Sequence, residues 1–180
     1  MKERERTSLR RDCKGTEIPA GYPTIMQAGT PVTILQTLGG NYTIGLDDGR
    51  VVRIDASDID ALGMEVAKPE AAAASGPVDE KVVWDELRTI YDPEIPVNIV
   101  DLGLVYLCEM KPAPDGGCTV DIRMTMTAPG CGMGGVLMAD VESKLRALPG
   151  IKDVNVELVW DPPWDQDRMS EAARLQLGMM

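Results

Sequence analysis

The sequence contains no histidine. That absence removes Ser–His–Asp catalysis, Cys–His catalysis and histidine-ligated zinc together. A metal could be held only by thiolates, carboxylates, external ligands or a second chain. Paired cysteines are missing too. The four cysteines are Cys13, Cys108, Cys118 and Cys131, and no two form a CxxC pair. Neither a zinc knuckle nor a thioredoxin-type motif is present, and a reducing compartment would leave four free thiols. No apolar run approaches the roughly 20 residues that span a bilayer. The segment from Met1 to Asp12 is dense in charge and lacks the apolar core of a signal peptide. A cytoplasmic address with no membrane partner is therefore expected. Positive charge is in deficit, with 18 Lys and Arg against 29 Asp and Glu and a net charge of −11. This balance opposes non-specific adhesion to nucleic acid or anionic lipid. The excess acid reads first as solubility and second as an acidic docking face.

With 44% hydrophobic and 26% charged residues, the chain has a globular mixture and should fold over most of its length. The stretch Pro69-Glu70-Ala71-Ala72-Ala73-Ala74-Ser75-Gly76-Pro77 offers nothing to pack, so 69–78 reads as a linker, with a short Ala-rich helical turn as the alternative. It separates an N-terminal module, 1–68, from a C-terminal domain, 79–180.

The module reads as β-rich. Pro31 to Gln36, Tyr42 to Leu46 and Val51 to Ile54 are strands, joined at Gly39-Gly40-Asn41 and Asp47-Asp48-Gly49. This predicts a three-stranded meander or small barrel. Three such strands are marginal alone, so the module is expected to lean on the C-terminal domain or a partner.

The C-terminal domain alternates helix and strand. Asp79 caps a helix running to Tyr91, and Asp92-Pro93 stops it. Leu104 to Met110 and Cys118 to Met126 are strands. In the second, Cys118, Val120, Ile122, Met124 and Met126 alternate with Thr119, Asp121, Arg123, Thr125 and Thr127. Asp121 and Arg123 share the polar face and could pair with each other. A glycine-rich bend, Ala128 to Gly135, leads into a helix to Leu148, and Ile151 to Trp160 is the last strand. A short helix, Ser170 to Leu177, ends the chain. The fold class is α+β: a small β-rich module followed by an α-β-β-α-β layer.

Cys131 stands apart from the other cysteines. It lies between a strand and a helix start, where the helix favours the thiolate, the form that binds metal or attacks electrophiles. The alternative is a small buried hydrophobe beside a flexible loop. Cys108 and Cys118 read as packed core thiols, while Cys13, in the charged N-terminal segment, reads as more exposed, either an unpaired thiol or a second ligand. Met133 in the glycine bend is the methionine least easily assigned to core filling. A second constellation, Asp92 to Val105, carries carboxylates on a loop stiffened by two prolines. Such carboxylates can ligate hard metals or act as bases, or they can cap loop N–H groups.

Asp92-Pro93-Glu94-Ile95-Pro96 through Asp101-Leu102-Gly103-Leu104-Val105, followed by Thr127-Ala128-Pro129-Gly130-Cys131-Gly132-Met133, resembles the metal–sulfur cluster assembly factor family, which includes the PaaD-like proteins. The resemblance covers about Val78 to Leu158. In the N-terminal half, Arg11-Asp12-Cys13, Gly15 to Gly21, Leu38 to Thr43 and Asp60-Ala61-Leu62-Gly63 resemble the SufT-like branch, in which a β module precedes the assembly domain. The resemblance implies a role in maturing iron–sulfur proteins, with SUF assembly proteins and client apoproteins as partners; the lack of a histidine base makes a non-enzymatic role the expectation. It implies that Cys131 is the reactive cysteine and that Asp92, Glu94, Asp101 and Thr127 occupy the other motif positions. A transient iron–sulfur cluster is the implied cargo. One cysteine cannot encase a cluster that four ligands usually hold, so a homo-oligomer bridging it through Cys131, with Cys13 as a weak further ligand, is the simplest geometry. Three roles stand open: a cluster carrier, an adaptor holding no cluster, and a thiol enzyme.

Overall fold

The computed structural model describes residues 5–66, 78–130 and 132–179. The chain divides into two compact units, Met1–Glu70 and Ala71–Met180. Except for Val78, the stretch read as a linker lies outside the described residues.

The first unit is a single antiparallel sheet of β1 (Arg6–Ser8), β2 (Cys13–Ile18), β3 (Pro23–Met26), β4 (Pro31–Leu38), β5 (Asn41–Leu46) and β6 (Val51–Ile54), in the order β1-β4-β5-β6-β2-β3. The expected meander is present as β4-β5-β6. Three further strands extend it, so the expectation of a marginal three-stranded piece is corrected. The unit has its own core of Leu9, Cys13, Met26, Val32, Ile44, Leu46, Val52, Ile54, Ala61 and Leu62. Strand β2 was hard to read because Cys13-Lys14-Gly15-Thr16-Glu17-Ile18 is mostly polar or small. It needs to be small: a Cβ on Gly15 would overlap the Val52 side chain and the Arg53 carbonyl of the neighbouring strand. A 3-10 helix, Ala56–Leu62, follows the sheet. Arg11 clamps it with ion pairs to Asp58 (2.8 Å) and Asp60 (2.6 Å). Two of the segments that carried the N-terminal resemblance are thus bonded to each other.

Cys13 is corrected as well. It is only 1% exposed, faces the core opposite Met26, and donates its thiol to the Lys14 carbonyl at 3.3 Å. Its place in the sequence looked charged, but strand alternation turns its side chain inward.

The second unit follows the predicted order. Helix α1 (Glu80–Leu87) is capped by Asp79, whose side chain accepts from the Lys81 N–H. Three strands, β7 (Val105–Pro112), β8 (Cys118–Met124) and β9 (Ile151–Leu158), form a sheet in the order β7-β8-β9. The β7–β8 pair is antiparallel and β8–β9 is parallel. The parallel pair needs a crossover, and helix α2 (Gly134–Arg146) supplies it. Val83 and Leu87 of α1 and Leu137, Val141 and Leu145 of α2 join Val120, Ile122, Met124 and Val154 of the sheet in one buried core. Burying a side chain of this size contributes about 1.5–3 kcal/mol. Helix α3 (Glu171–Gln176) is capped by the Ser170 hydroxyl.

Helix α1 stops at Leu87, not at Tyr91. Ile90 accepts from the Ile99 N–H, and Tyr91 bridges Asn98, so both residues belong to the following loop. On the open face of the sheet, Asp121 and Arg123 do not pair with each other. Lys111 and Asn155 reach Asp121 at 2.7 and 2.8 Å, and Arg123 reaches Glu157 at 3.0 Å.

Candidate functional site

The first motif is a loop that satisfies itself. Asp92 is 2% exposed, and its Oδ1 accepts the N–H groups of Glu94 (2.8 Å) and Ile95 (3.0 Å). Burial raises the pKa of this carboxyl, against the opposing pull of those two N–H donors. Asn98 does the same further on. Its Oδ1 accepts from Val100 (3.1 Å) and Asp101 (2.9 Å), and its Nδ2 donates to Asp101 Oδ2 at 2.6 Å. Val97, Ile99, Leu102 and Leu104 of this loop enter the core. Asn98 was not singled out from the sequence. Its signal was an Asx residue two positions before the N–H of Val100, the spacing of a side-chain turn.

The C-terminal segment clamps this loop from outside. The Trp164 indole donates to the Leu102 carbonyl at 2.7 Å, Ser170 N to the Asp101 carbonyl at 2.8 Å, and Gln176 Nε2 to the Pro96 carbonyl at 2.7 Å. Gly103 has φ 73°, and a Cβ there would run into the Arg168 main chain. Only glycine meets both demands. Glu94 is exposed, unlike Asp92.

The second motif begins where β8 ends. Thr125 N donates to the Leu104 carbonyl at 2.8 Å, which ties the end of the first motif to the start of the second. Thr125 was expected on the polar face. Instead it is 0% exposed, and its Oγ1 has no hydrogen-bond partner among the described residues. The reason is local: the strand stops at Met124, so the alternation that would expose Thr125 no longer holds. Thr127 is half-buried. Gly130 turns with φ 78°. Cys131 lies outside the described residues. Met133 is fully buried and is the N-cap of α2, where no side chain caps the helix.

The start of α2 is therefore chemically open. Its first turn holds no acidic residue, Gly135 is exposed, and a Cβ there would meet nothing. Lys144 and Arg146 lie in the last turn, complementing the negative end. Among the described residues no side chain caps the leading N–H groups, and the positive end of the dipole favours an anion, a thiolate included.

Three cysteines are described, and all are free. Burial pushes the Cys13 thiol up and the Cys108 thiol up to about 11, the latter with help from the Glu80 charge. Both are held as neutral thiols, the wrong form for ligation. Cys108 packs against the core as expected. A register shift interrupts the β7–β8 pairing between Val105 and Leu107. Cys118 is half-buried at the first residue of β8 and lies outside the core cluster, short of the packed site expected for it. Among the described residues no group of three or more Cys, Asp or Glu is arranged to hold a metal ion. No described helix is long and apolar enough to cross a membrane.

Comparison with known proteins falls on the second unit. The profile of the iron-sulfur cluster assembly protein family matches residues 80–158. An Fe-S protein maturation auxiliary factor of Porphyromonas gingivalis is 46% identical over 94 residues, 52% of this chain and 86% of that protein. The Fe-S protein maturation auxiliary factor SufT of Staphylococcus aureus is 43% identical over 90 residues, 50% of this chain and 98% of that protein. An iron-sulfur cluster carrier protein of Deinococcus radiodurans is 32% identical over 71 residues, 39% of this chain but 19% of that protein.

Proposed function

This chain belongs to the iron-sulfur cluster assembly protein family, and from that premise we propose that it matures iron–sulfur proteins by carrying or delivering clusters through Cys131. The observation that carries the proposal is the span of the match. It contains both motifs, and the second runs directly into the uncapped, acid-free first turn of α2. That turn favours a thiolate and the anionic sulfide of a cluster. The cluster is cargo in this reading, and the protein is not an enzyme. Two chains would each offer Cys131 and hold it between them. Cys13, buried and neutral, takes no part. Asp92, Asp101 and Asn98 shape the loop that meets the second motif at Leu104; Glu94 of that loop and Thr127 of the second motif are more accessible. We read 1–68 as a separate β module, 69–78 as a linker and 79–180 as the assembly domain. SUF assembly proteins and client apoproteins in the cytoplasm are the partners this role requires.

A second reading is an adaptor that holds no cluster. The names of the Porphyromonas gingivalis and Staphylococcus aureus relatives, which call them auxiliary factors, favour it. Anaerobic reconstitution with iron and sulfide, followed by desalting, separates the two. A carrier retains iron and sulfide with a visible spectrum, and Cys131→Ser retains none. If the wild type also retains none, the carrier reading is wrong and the adaptor stands.

A further inference from the structure

Where the first motif runs into β7, the second unit has an open groove of about 460 Å³ lined by Gly103, Val105, Tyr106, Pro162 and Arg168. Its parts are fixed. The Tyr106 hydroxyl donates to the Pro162 carbonyl at 2.8 Å. The Arg168 guanidinium lies over the Tyr106 ring, 4.6 Å from its centroid. Gly103 holds the Arg168 main chain close, as described above.

Two features of this groove call for a ligand. The first is charge. Among the described residues Arg168 makes no ion pair, although the chain has 29 carboxylates. Of the two aspartates just before it, Asp165 accepts the Asp167 N–H at 2.9 Å, and Asp167 lies 3.8 Å from Arg174. Stacking on Tyr106 occupies one face of the guanidinium and leaves its in-plane N–H donors, which match a carboxylate. The second feature is backbone. Val105 and Tyr106 belong to β7, the edge of the β7-β8-β9 sheet, and no described strand pairs with its outer side. An edge strand offers a row of N–H and C=O groups to an extended chain.

We propose that this groove docks an extended segment of a partner protein, which adds to the outer edge of β7 and sets an Asp or Glu carboxylate on Arg168. The site goes beyond the cluster reading and does not depend on it. Cys131→Ser should leave it intact.

The test titrates isotope-labelled full-length protein with an acetylated, amidated pentapeptide of alternating valine and threonine with a central aspartate, to about 10 mM. The expected result is saturable shifts of the Gly103, Val105 and Tyr106 amides and the Arg168 Nε. The same peptide with asparagine should bind about tenfold more weakly. Arg168→Ala, at an exposed position that should not disturb the melt, removes the preference for aspartate, and Arg168→Lys keeps part of it. Equal binding of the two peptides, or no saturable shift at these sites over that range, overturns the proposal.

Discussion

The loop over 92–104 and the bend over 125–133 are both rich in residues that break regular structure, yet they are built on opposite plans. The first closes on itself. Asp92 and Asn98 each take two backbone N–H groups, Asp101 takes the Asn98 amide, and three bonds from the C-terminal segment hold the outside. The second leaves groups unspent. Among the described residues the Thr125 hydroxyl is buried without a partner, and the start of α2 has neither side-chain cap nor acid. A carboxylate with a structural duty is a poor candidate for chemistry, while an open helix start beside a cysteine in the sequence is a good one. The contrast supports the proposed division, with positioning in the first motif and reaction in the second.

The largest expected effect tests that division. Cys131→Ser should abolish cluster maturation while leaving the thermal midpoint unchanged, as read by iron retention and by a melt on the same sample. Cys108→Ser is the converse control. It puts a hydroxyl against the core and should cost about 1–2 kcal/mol with maturation intact. A large loss of stability in Cys131→Ser would return that residue to the core and erase the contrast.

Next come changes to the closed loop. Gly103→Ala forces a left-handed backbone on a residue with a Cβ and drives it into the Arg168 main chain. It should cost about 3 kcal/mol in denaturant unfolding. Asn98→Ala strips the partners from the Val100 and Asp101 N–H groups and should cost about 2 kcal/mol. Maturation should survive both where the protein is still folded. A variant that keeps its stability but loses maturation would show the first motif to be reactive after all.

Much of this was legible in the sequence. The alternation from Cys118 to Met124 has one solution, and the stripe of Leu137, Val141 and Leu145 has another, so β8, α2 and their packing could be read directly. Strands β1, β2 and β3 could not. Their register is set by partners far along the chain, and Gly15 is there because a neighbouring strand leaves no room for a side chain. Cys13 reads as exposed for the same reason: its burial comes from a sheet that local composition does not announce. At the site, glycine and proline marked both bends. The sequence did not reveal that Asn98 would brace one bend and that Thr125 would be left unbraced at the other, because each depends on where a strand or helix stops.

A smaller effect concerns charge in the closed loop. The folded pKa of Asp92 lies above its unfolded value near 3.9 because burial penalises the ionised form. The folded state therefore binds the proton more tightly. The stability from that proton is fully present below about pH 3.9 and is lost as pH rises through the raised folded value. Asp92→Asn keeps an acceptor for the Glu94 and Ile95 N–H groups without the charge. It should flatten this dependence and be the more stable protein at pH 7, by about 1 kcal/mol. Unfolding curves for both proteins across the acid range would check it. A variant less stable than wild type at neutral pH would show that the two N–H bonds outweigh the burial.

The smallest effect bears on the open bend. Thr125→Val has nearly the same shape and removes a buried hydroxyl that has no partner. An unpaired buried polar group costs about 1–3 kcal/mol, so the variant should gain about 1 kcal/mol. Stability and maturation must be measured together. A gain in stability with full maturation makes the hydroxyl a defect that the fold tolerates. A gain in stability with lost maturation means the hydroxyl is kept for a bond made only while a cluster or client is bound. That second outcome would sharpen the contrast most, because it would give the reactive bend a second working residue buried beneath its surface. A loss of stability would mean that Thr125 is braced after all, and the two bends would differ less than their hydrogen bonds indicate.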